Sequence, residues 1–205
     1  MKSLTLLLLT TLFGLSSVDS HGSQKTVMPV AGLNLPVAAA GDEWNPGLSL
    51  GIHFPLRNAR HGNWSIVTSY QQMSPNAEEM LKTGGRKMKI EKSEGVSRVI
   101  ELGILGDRKL WSATRPELAL SIQYGASVYL VDDDDIHVKG AYLTPSLALT
   151  KEIYRVGETL VVPGISLGFS LDFLKSTTLC FRMQHLFTAE SSRDLFFMGI
   201  GFQPS

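Results

Sequence analysis

Between Gly47 and Phe202, apolar side chains recur at every second position. A strand turns that spacing into two chemically different faces, and the helical period fits it poorly. Leu118, Leu120, Ile122, Tyr124, Ala126, Val128 and Leu130 alternate with Ala119, Ser121, Gln123, Gly125, Ser127 and Tyr129. Ile165, Leu167, Phe169, Leu171 and Phe173 alternate with Gly164, Ser166, Gly168, Ser170 and Asp172. Phe196, Met198, Ile200 and Phe202 alternate with Phe197, Gly199, Gly201 and Gln203. The pattern predicts strands over 27–37, 47–56, 63–73, 96–106, 116–131, 161–173, 177–188 and 195–203. Residues 141–151 alternate too, but Pro145 in their middle removes a ladder donor. Residues 132–160 therefore read as a long loop carrying a hairpin or a strand extension. Pro29 and Pro36 weaken the first strand on the same grounds.

The 205 residues include 19 basic and 19 acidic side chains, and 43% are hydrophobic. That composition excludes a disordered chain and a mainly electrostatic nucleic-acid binder. A single Cys180 excludes an internal disulfide framework and a cysteine-based zinc site. Met1–Ser20 has the layout of a secretory signal peptide: Lys2, the apolar stretch Leu4–Leu15, then small and polar residues, with cleavage expected before His21. At about twelve residues the stretch is shorter than the roughly twenty of a spanning helix. No later segment approaches eighteen consecutive apolar residues. If the mature domain, 21–205, enters a membrane, it does so as a closed barrel, where every backbone group finds a partner.

With eight strands, the connections sort by parity. Those at 57–62, 107–115 and 174–176 fall at one end, and those at 38–46, 74–95, 132–160 and 189–194 at the other. The longest loops thus share one end, as in bacterial outer-membrane barrels with short periplasmic turns and longer external loops. A ninth full span at 141–151 would put the C-terminus on the wrong side.

Alternation alone fits a membrane barrel, apolar face outward, and equally an exported soluble sandwich or lipocalin-like barrel, apolar face inward. The polar face favours the first. It carries many Gly and Ser residues, and it places Glu101, Glu117, Gln123, Asp172, Arg182 and Gln184 in mid-strand. An eight-stranded barrel has an interior just wide enough for side chains. Inside it, Arg182 can satisfy Glu101, Glu117 or Asp172, with Gln71, Gln123 and Gln184 completing the hydrogen bonds. An interior so filled should not conduct as a porin does. Trp44 and Trp64 at strand starts and Trp111 in a turn suit interfacial girdles.

The chain resembles the small outer-membrane β-barrel family, the group of outer-membrane protein A-like eight-stranded barrels. Gly47-Leu-Ser-Leu-Gly-Ile-His-Phe-Pro-Leu56, Trp64-Ser-Ile-Val-Thr-Ser-Tyr70 and the closing strand Leu195-Phe-Phe-Met-Gly-Ile-Gly-Phe202 carry the likeness. The resemblance implies an antiparallel up-and-down transmembrane barrel in a bacterial outer membrane. Its partners would be outer-membrane lipid and lipopolysaccharide, with the barrel assembly machinery reading the last strand. Gln203-Pro204-Ser205 after Phe202 depart from a strict terminal aromatic. The family spans adhesins, structural barrels and enzymes, so the fold does not supply the function.

Phe181-Arg-Met-Gln-His-Leu-Phe-Thr188 is similar to the segment around the catalytic His of lipid A deacylase-like barrels. In that family a Ser follows the His by two positions, and imidazole takes its hydroxyl proton. Here the matching position is Phe187; Thr188 has inward parity and Ser191 lies in a loop. His185 is thus expected to be an outward-facing side chain near the rim, and a non-enzymatic role is the first reading. Asp132, Asp133, Asp134 and Asp135 could offer oxygen ligands to calcium, but they lack the alternating ligands, turn glycine and distal Glu of a calcium loop. They read as a solvated acidic loop. Lys82, Arg86, Lys87, Lys89 and Lys92, around Gly84-Gly85, form a basic loop that could meet lipopolysaccharide phosphates, and it too reads first as solvated. Cys180 is expected inside the barrel as a space-filler. Nothing in the sequence calls for a cofactor or names an external ligand.

Overall fold

The computed structural model describes residues 27–37, 39–56, 63–82, 88–112, 118–144, 147–173, 176–188 and 193–202. The expected signal peptide, Met1–Ser20, and Glu117, Arg86, Lys87 and Ser191 lie outside the described residues. Eight antiparallel strands close on themselves: β1 (Met28–Val37), β2 (Gly47–Pro55), β3 (Asn63–Met73), β5 (Ser97–Ser112), β6 (Leu118–Asp133), β9 (Thr159–Phe173), β10 (Thr177–Leu186) and β11 (Arg193–Phe202). Each strand pairs with the next of the eight along the chain, and β11 pairs with β1, so no edge is left open. Pro29 and Pro36 sit near the two ends of β1, where a missing N–H interrupts the ladder least.

The pairing also fixes the tilt. One row runs Val37–Asp194–His185–Ile165–Ala126–Ile104–Ile66–Phe54 around the wall. It returns to β1 at position 27, one step beyond the Met28–His53 pair and ten residues from where it began. A stagger of that size over eight strands corresponds to a tilt of about 40° and an interior that side chains can fill.

The two faces separate as the alternation requires. Leu48, Leu102, Val161, Leu167 and Ile200 point outward and are exposed, Leu48 to 70% and Val161 to 68%. Glu101, Gln71, Gln184 and Asn34 point inward at 0%. On β9 the outward row from Val161 to Phe173 spans about 30 Å of the barrel axis at ~3.3 Å per residue and the tilt above. Among the described outward positions, charge appears only toward the two ends: Arg98, Asp132, Asp194 and His185 on one side and Arg108 on the other. Gly168 lies opposite Arg182, where a Cβ would collide with the Phe181 backbone. The missing side chain leaves the lumen to the guanidinium.

The end with the long connections is capped. Residues expected as loops form a three-stranded sheet of β4 (Lys89–Glu94), β7 (Ile136–Thr144) and β8 (Leu147–Arg155), in the order β4-β7-β8. The described parts of 141–151 belong to the two arms of a β7–β8 hairpin, as a hairpin within 132–160 was expected, and Pro145 lies outside the described residues. Two short helices, α1 (Ala39–Glu43) and α2 (Ala77–Leu81), lie in the neighbouring connections. Gly95 enters β5 at φ +117°, a conformation other residues rarely adopt.

The sheet and helices close over an apolar layer. Trp44, Met73, Leu81, Ile136 and Val138 from the cap side pack on Val99, Tyr129, Val131, Val162, Leu186 and Leu195 from the inner wall. Trp44 is therefore a buried plug residue at 2% exposure, not part of a girdle, and Trp111 lies on β5 rather than in a turn. Leu186→Ala is expected to cost about 2–4 kcal/mol through lost packing. Limited proteolysis should then cut the cap of the variant faster while the barrel band survives on a gel.

Candidate functional site

The interior is organised around one carboxylate. Glu101, mid-strand on β5, accepts hydrogen bonds from Ser69 Oγ (2.9 Å), Ser127 Oγ (2.9 Å), Tyr129 Oη (3.3 Å), Gln184 Nε2 (3.0 Å) and Arg182 Nη2 (2.8 Å). Gln71 Nε2 donates to Gln184 Oε1 at 3.2 Å and extends the network to β3. The Glu101–Arg182 pair is almost fully enclosed, at 0% and 4% side-chain exposure. An enclosed charge costs several kcal/mol unless paired and hydrogen-bonded, and here four neutral donors and one cation converge on it. The Arg182 guanidinium also lies over the Phe197 ring at 5.6 Å. Its Nε and Nη1, with Ser166 Oγ, Gln71 Oε1 and the Asn34 amide, have no protein partner in the lumen.

Of the two described candidates for Arg182, Glu101 meets it and Asp172 does not. Asp172 instead accepts from Thr178 Oγ1 at 2.7 Å, and Gln123 donates to Asp107 at a marginal 3.5 Å. Asp107 accepts a better bond from Ser170 Oγ at 3.0 Å. Sequence reasoning assigned Asp107 to a connection and left His53 unassigned; both line the interior. Parity carried the missing signal, because Asp107 continues the row of Glu101 and Leu105, and His53 that of Ser49 and Gly51.

At the capped rim all four consecutive aspartates find partners, while Asp132, Asp134 and Asp135 keep much of their contact with solvent. Arg98 grips Asp134 in a fork (2.6 and 2.9 Å) and reaches Asp132 at 3.5 Å. Asp133 takes Arg193 at 2.9 Å and Ser97 Oγ at 2.5 Å. Asp135 accepts from the Gly157 N–H and the Tyr154 hydroxyl, both at 2.8 Å, and these bonds hold its carboxyl below the usual range. The run is the joint between β6 and the cap sheet, and its carboxylates divide among Arg98, Arg193 and the Tyr154–Gly157 segment. Among the described residues no group of three or more metal-ligating side chains gathers.

Of the basic cluster, Lys82 and Lys92 are paired among the described residues. Lys82 pairs with Glu79 at 2.9 Å, which raises its own pKa. Lys92 pairs with Glu94 at 2.9 Å and contacts His137 Nδ1 at the same distance. Lys89 is exposed on β4. The His137–Glu152 pair at 2.5 Å lowers the Glu152 pKa, so its contribution to the folded cap is present above the ordinary carboxylate pKa and fades as pH falls through the depressed value.

His185 stands on the outer wall at the cap-side edge of the apolar band. Its Nδ1 meets Asp194 Oδ1 at 2.6 Å, directly across the β10–β11 ladder, and the Phe187 ring stands edge-on at 4.6 Å. A carboxylate thus orients the imidazole, while a bulky ring occupies the position where a serine nucleophile would be needed.

No family model matches the chain, and no curated protein matches it in sequence. Among solved structures it is similar to the attachment invasion locus protein Ail of Yersinia pestis, with TM-score 0.46 and 9% identity over 88% of this chain and 100% of that one. It is similar to Neisserial surface protein A, with TM-score 0.46 and 11% identity over 87% and 96%. The translocator domain of the autotransporter NalP from Neisseria meningitidis gives TM-score 0.35 and 11% identity over 99% and 95%.

Arg182→Met is expected to destabilise the folded chain by about 3–5 kcal/mol, because Glu101 is left enclosed without its cation. The double change with Glu101→Gln should recover most of that loss. Denaturant midpoints of the single and double variants check the coupling.

Proposed function

We propose that this chain is a bacterial outer-membrane β-barrel, exported by its Met1–Ser20 leader, whose non-enzymatic work is structural or surface interaction through the folded cap. One observation carries the reading: the outward face is an uncharged apolar band around all eight strands, with the ionic groups gathered inside or at the rims. Water penalises such a surface and hydrocarbon does not. A lipocalin-like binder of an apolar ligand needs the opposite sidedness; it needs apolar side chains where this lumen has Glu101, Gln184 and Arg182. The capped end faces outward from the cell, since it gathers the long connections while the turns and both described chain ends lie opposite. Beside lipopolysaccharide phosphates, Lys82, Lys89 and Lys92, with Arg86 and Lys87, are the polar contacts. Strand β11 is the segment offered to the barrel assembly machinery.

The closed lumen supports a role other than transport. Both the Glu101 network and the apolar layer over it obstruct the axis. Reconstituted into planar bilayers, the protein should show no steady open-pore conductance. His185 and Asp194 favour an outer-wall acyl hydrolase only if an alcohol joins them. His185→Ala is expected to leave lipopolysaccharide acylation unchanged in cells that express the chain; a loss of deacylated lipid would reverse the assignment.

Cell fractionation tests the location, with the protein expected in detergent-extracted outer membrane rather than a periplasmic extract. Leu167→Arg tests the outward band directly. Near mid-band it should cost about 2–4 kcal/mol for a barrel folded in vesicles, whereas an Arg on a soluble surface changes stability by less than about 0.5 kcal/mol. Urea titration of the refolded variants reads the difference.

A further inference from the structure

At the end away from the cap, β5 continues, paired with β6, beyond its last described pair with β3. The last pair of β5 with β3 is Asp107–Asn63, yet β5 continues through Arg108, Lys109, Leu110, Trp111 and Ser112, all exposed. Regular alternation would send Trp111 to the inner face with Asp107 and Lys109. The register shift between Lys109 and Trp111 inserts one extra residue and returns Trp111 to the outward row, opposite Leu120, while Arg108 stands on that row opposite Ile122. A bulge at a barrel rim is a device for re-aiming a side chain. Here it sets an indole and a guanidinium together at the lower edge of the apolar band. One outward position nearer the cap, Trp64 and Tyr124 meet edge to face at 5.6 Å and continue the aromatic ring.

Most cations at the capped end are paired, although among the described residues Lys89 there joins no ion pair and Lys151 reaches main-chain oxygens instead. Arg98, Arg155, Arg193, Lys92 and Lys139 at the capped end all hold carboxylates. Among the described residues, Arg108 and Lys109 join no ion pair. The connections at this end add Arg57, Arg60, Arg115 and Lys175 in sequence against Glu117 as the one acidic residue. Unpaired cations beside an interfacial Trp, at the depth where hydrocarbon gives way to headgroups, match one partner chemistry: a phosphodiester with an acyl chain below it.

We infer that Arg108 and Trp111, side by side on the outward row, form a docking site for the headgroup of an anionic phospholipid in the leaflet facing the turns, the phosphate on the guanidinium, the glycerol–acyl boundary on the indole, and Lys109 adding positive charge from the rim. The inference rests on the membrane reading above and adds a lipid class to it.

Full-length protein carrying Trp64→Phe, so that Trp111 is the lipid-facing indole, is folded into phosphatidylcholine vesicles containing brominated phosphatidylcholine or brominated phosphatidylglycerol at equal mole fraction. Quenching of Trp fluorescence reports which lipid stands beside Trp111. Brominated phosphatidylglycerol should quench about threefold more effectively, within the roughly fivefold that one basic side chain near a surface contributes. Arg108→Gln with Lys109→Gln should make the two lipids equal, and Lys139→Gln with Arg155→Gln, the same charge removed at the cap, should leave the preference intact. Equal quenching before substitution, or a preference that survives Arg108→Gln with Lys109→Gln, overturns the site. Loss of the preference on adding inorganic phosphate at constant ionic strength overturns it as well, because the cations then take free phosphate rather than a membrane headgroup. Failure of the unsubstituted chain to insert into phosphatidylcholine vesicles strikes the membrane reading itself. Insertion without lipid preference strikes only the docking site.

Discussion

Glu101 sets the terms on which the barrel can exist. A carboxylate at 0% exposure in a lumen about as wide as its side chains is tolerable only if donors arrive from several strands at once. They come from β3, β6 and β10, on both sides of β5 around the wall. The strands must therefore hold one register, because a slip of one residue would turn Arg182 to the outside and leave the charge alone. Sidedness follows from the same requirement. Once the ionic groups are committed to the lumen, the alternating partners Leu102, Leu167 and Met183 are committed to the exterior.

The two ends of the cylinder solve different problems. Under the cap, apolar residues from the wall and from the long connections share one core, so the end is closed by packing and held by the Arg98 and Arg193 forks onto the aspartates. Toward the turns the lumen is lined by Asp107, Asp172, Ser170 and Thr178, and the outside by exposed cations and aromatics. Among the described residues, the capped end presents a large folded surface beyond the wall.

The strands of the barrel were legible because their signal is strictly local. Each has one buried and one exposed row, and Leu118 through Val131 spells that out without reference to any neighbour. The cap was not legible for the same reason inverted. β4 reads as Lys-Ile-Glu-Lys-Ser-Glu, a charged run without an apolar row, and becomes a strand only because β7 lies beside it. Pro145 argued against one strand through 141–151 and pointed to a loop carrying a hairpin; the β7–β8 hairpin is there, and its pairing with β4 is what the local sequence did not announce. The aspartates illustrate a further limit. Four adjacent like charges suggest repulsion and solvent, and nothing nearby in sequence announces that Arg98 and Arg193 will reach them from β5 and β11. For the interior, residue type and parity identified Arg182 and Glu101, but which of the acids would meet the arginine depended on the register of every strand between them.

The cap sheet joins β4, from the connection after β3, to β7 and β8, from the connection after β6. Its central ladder thus ties together segments whose separation in space is fixed only once β5 and β6 stand between them. Loop-closure entropy makes such a pairing unfavourable in a chain whose wall is still open. The order of events is therefore written into the connectivity: the cylinder forms first, and the lid is the last element to acquire shape.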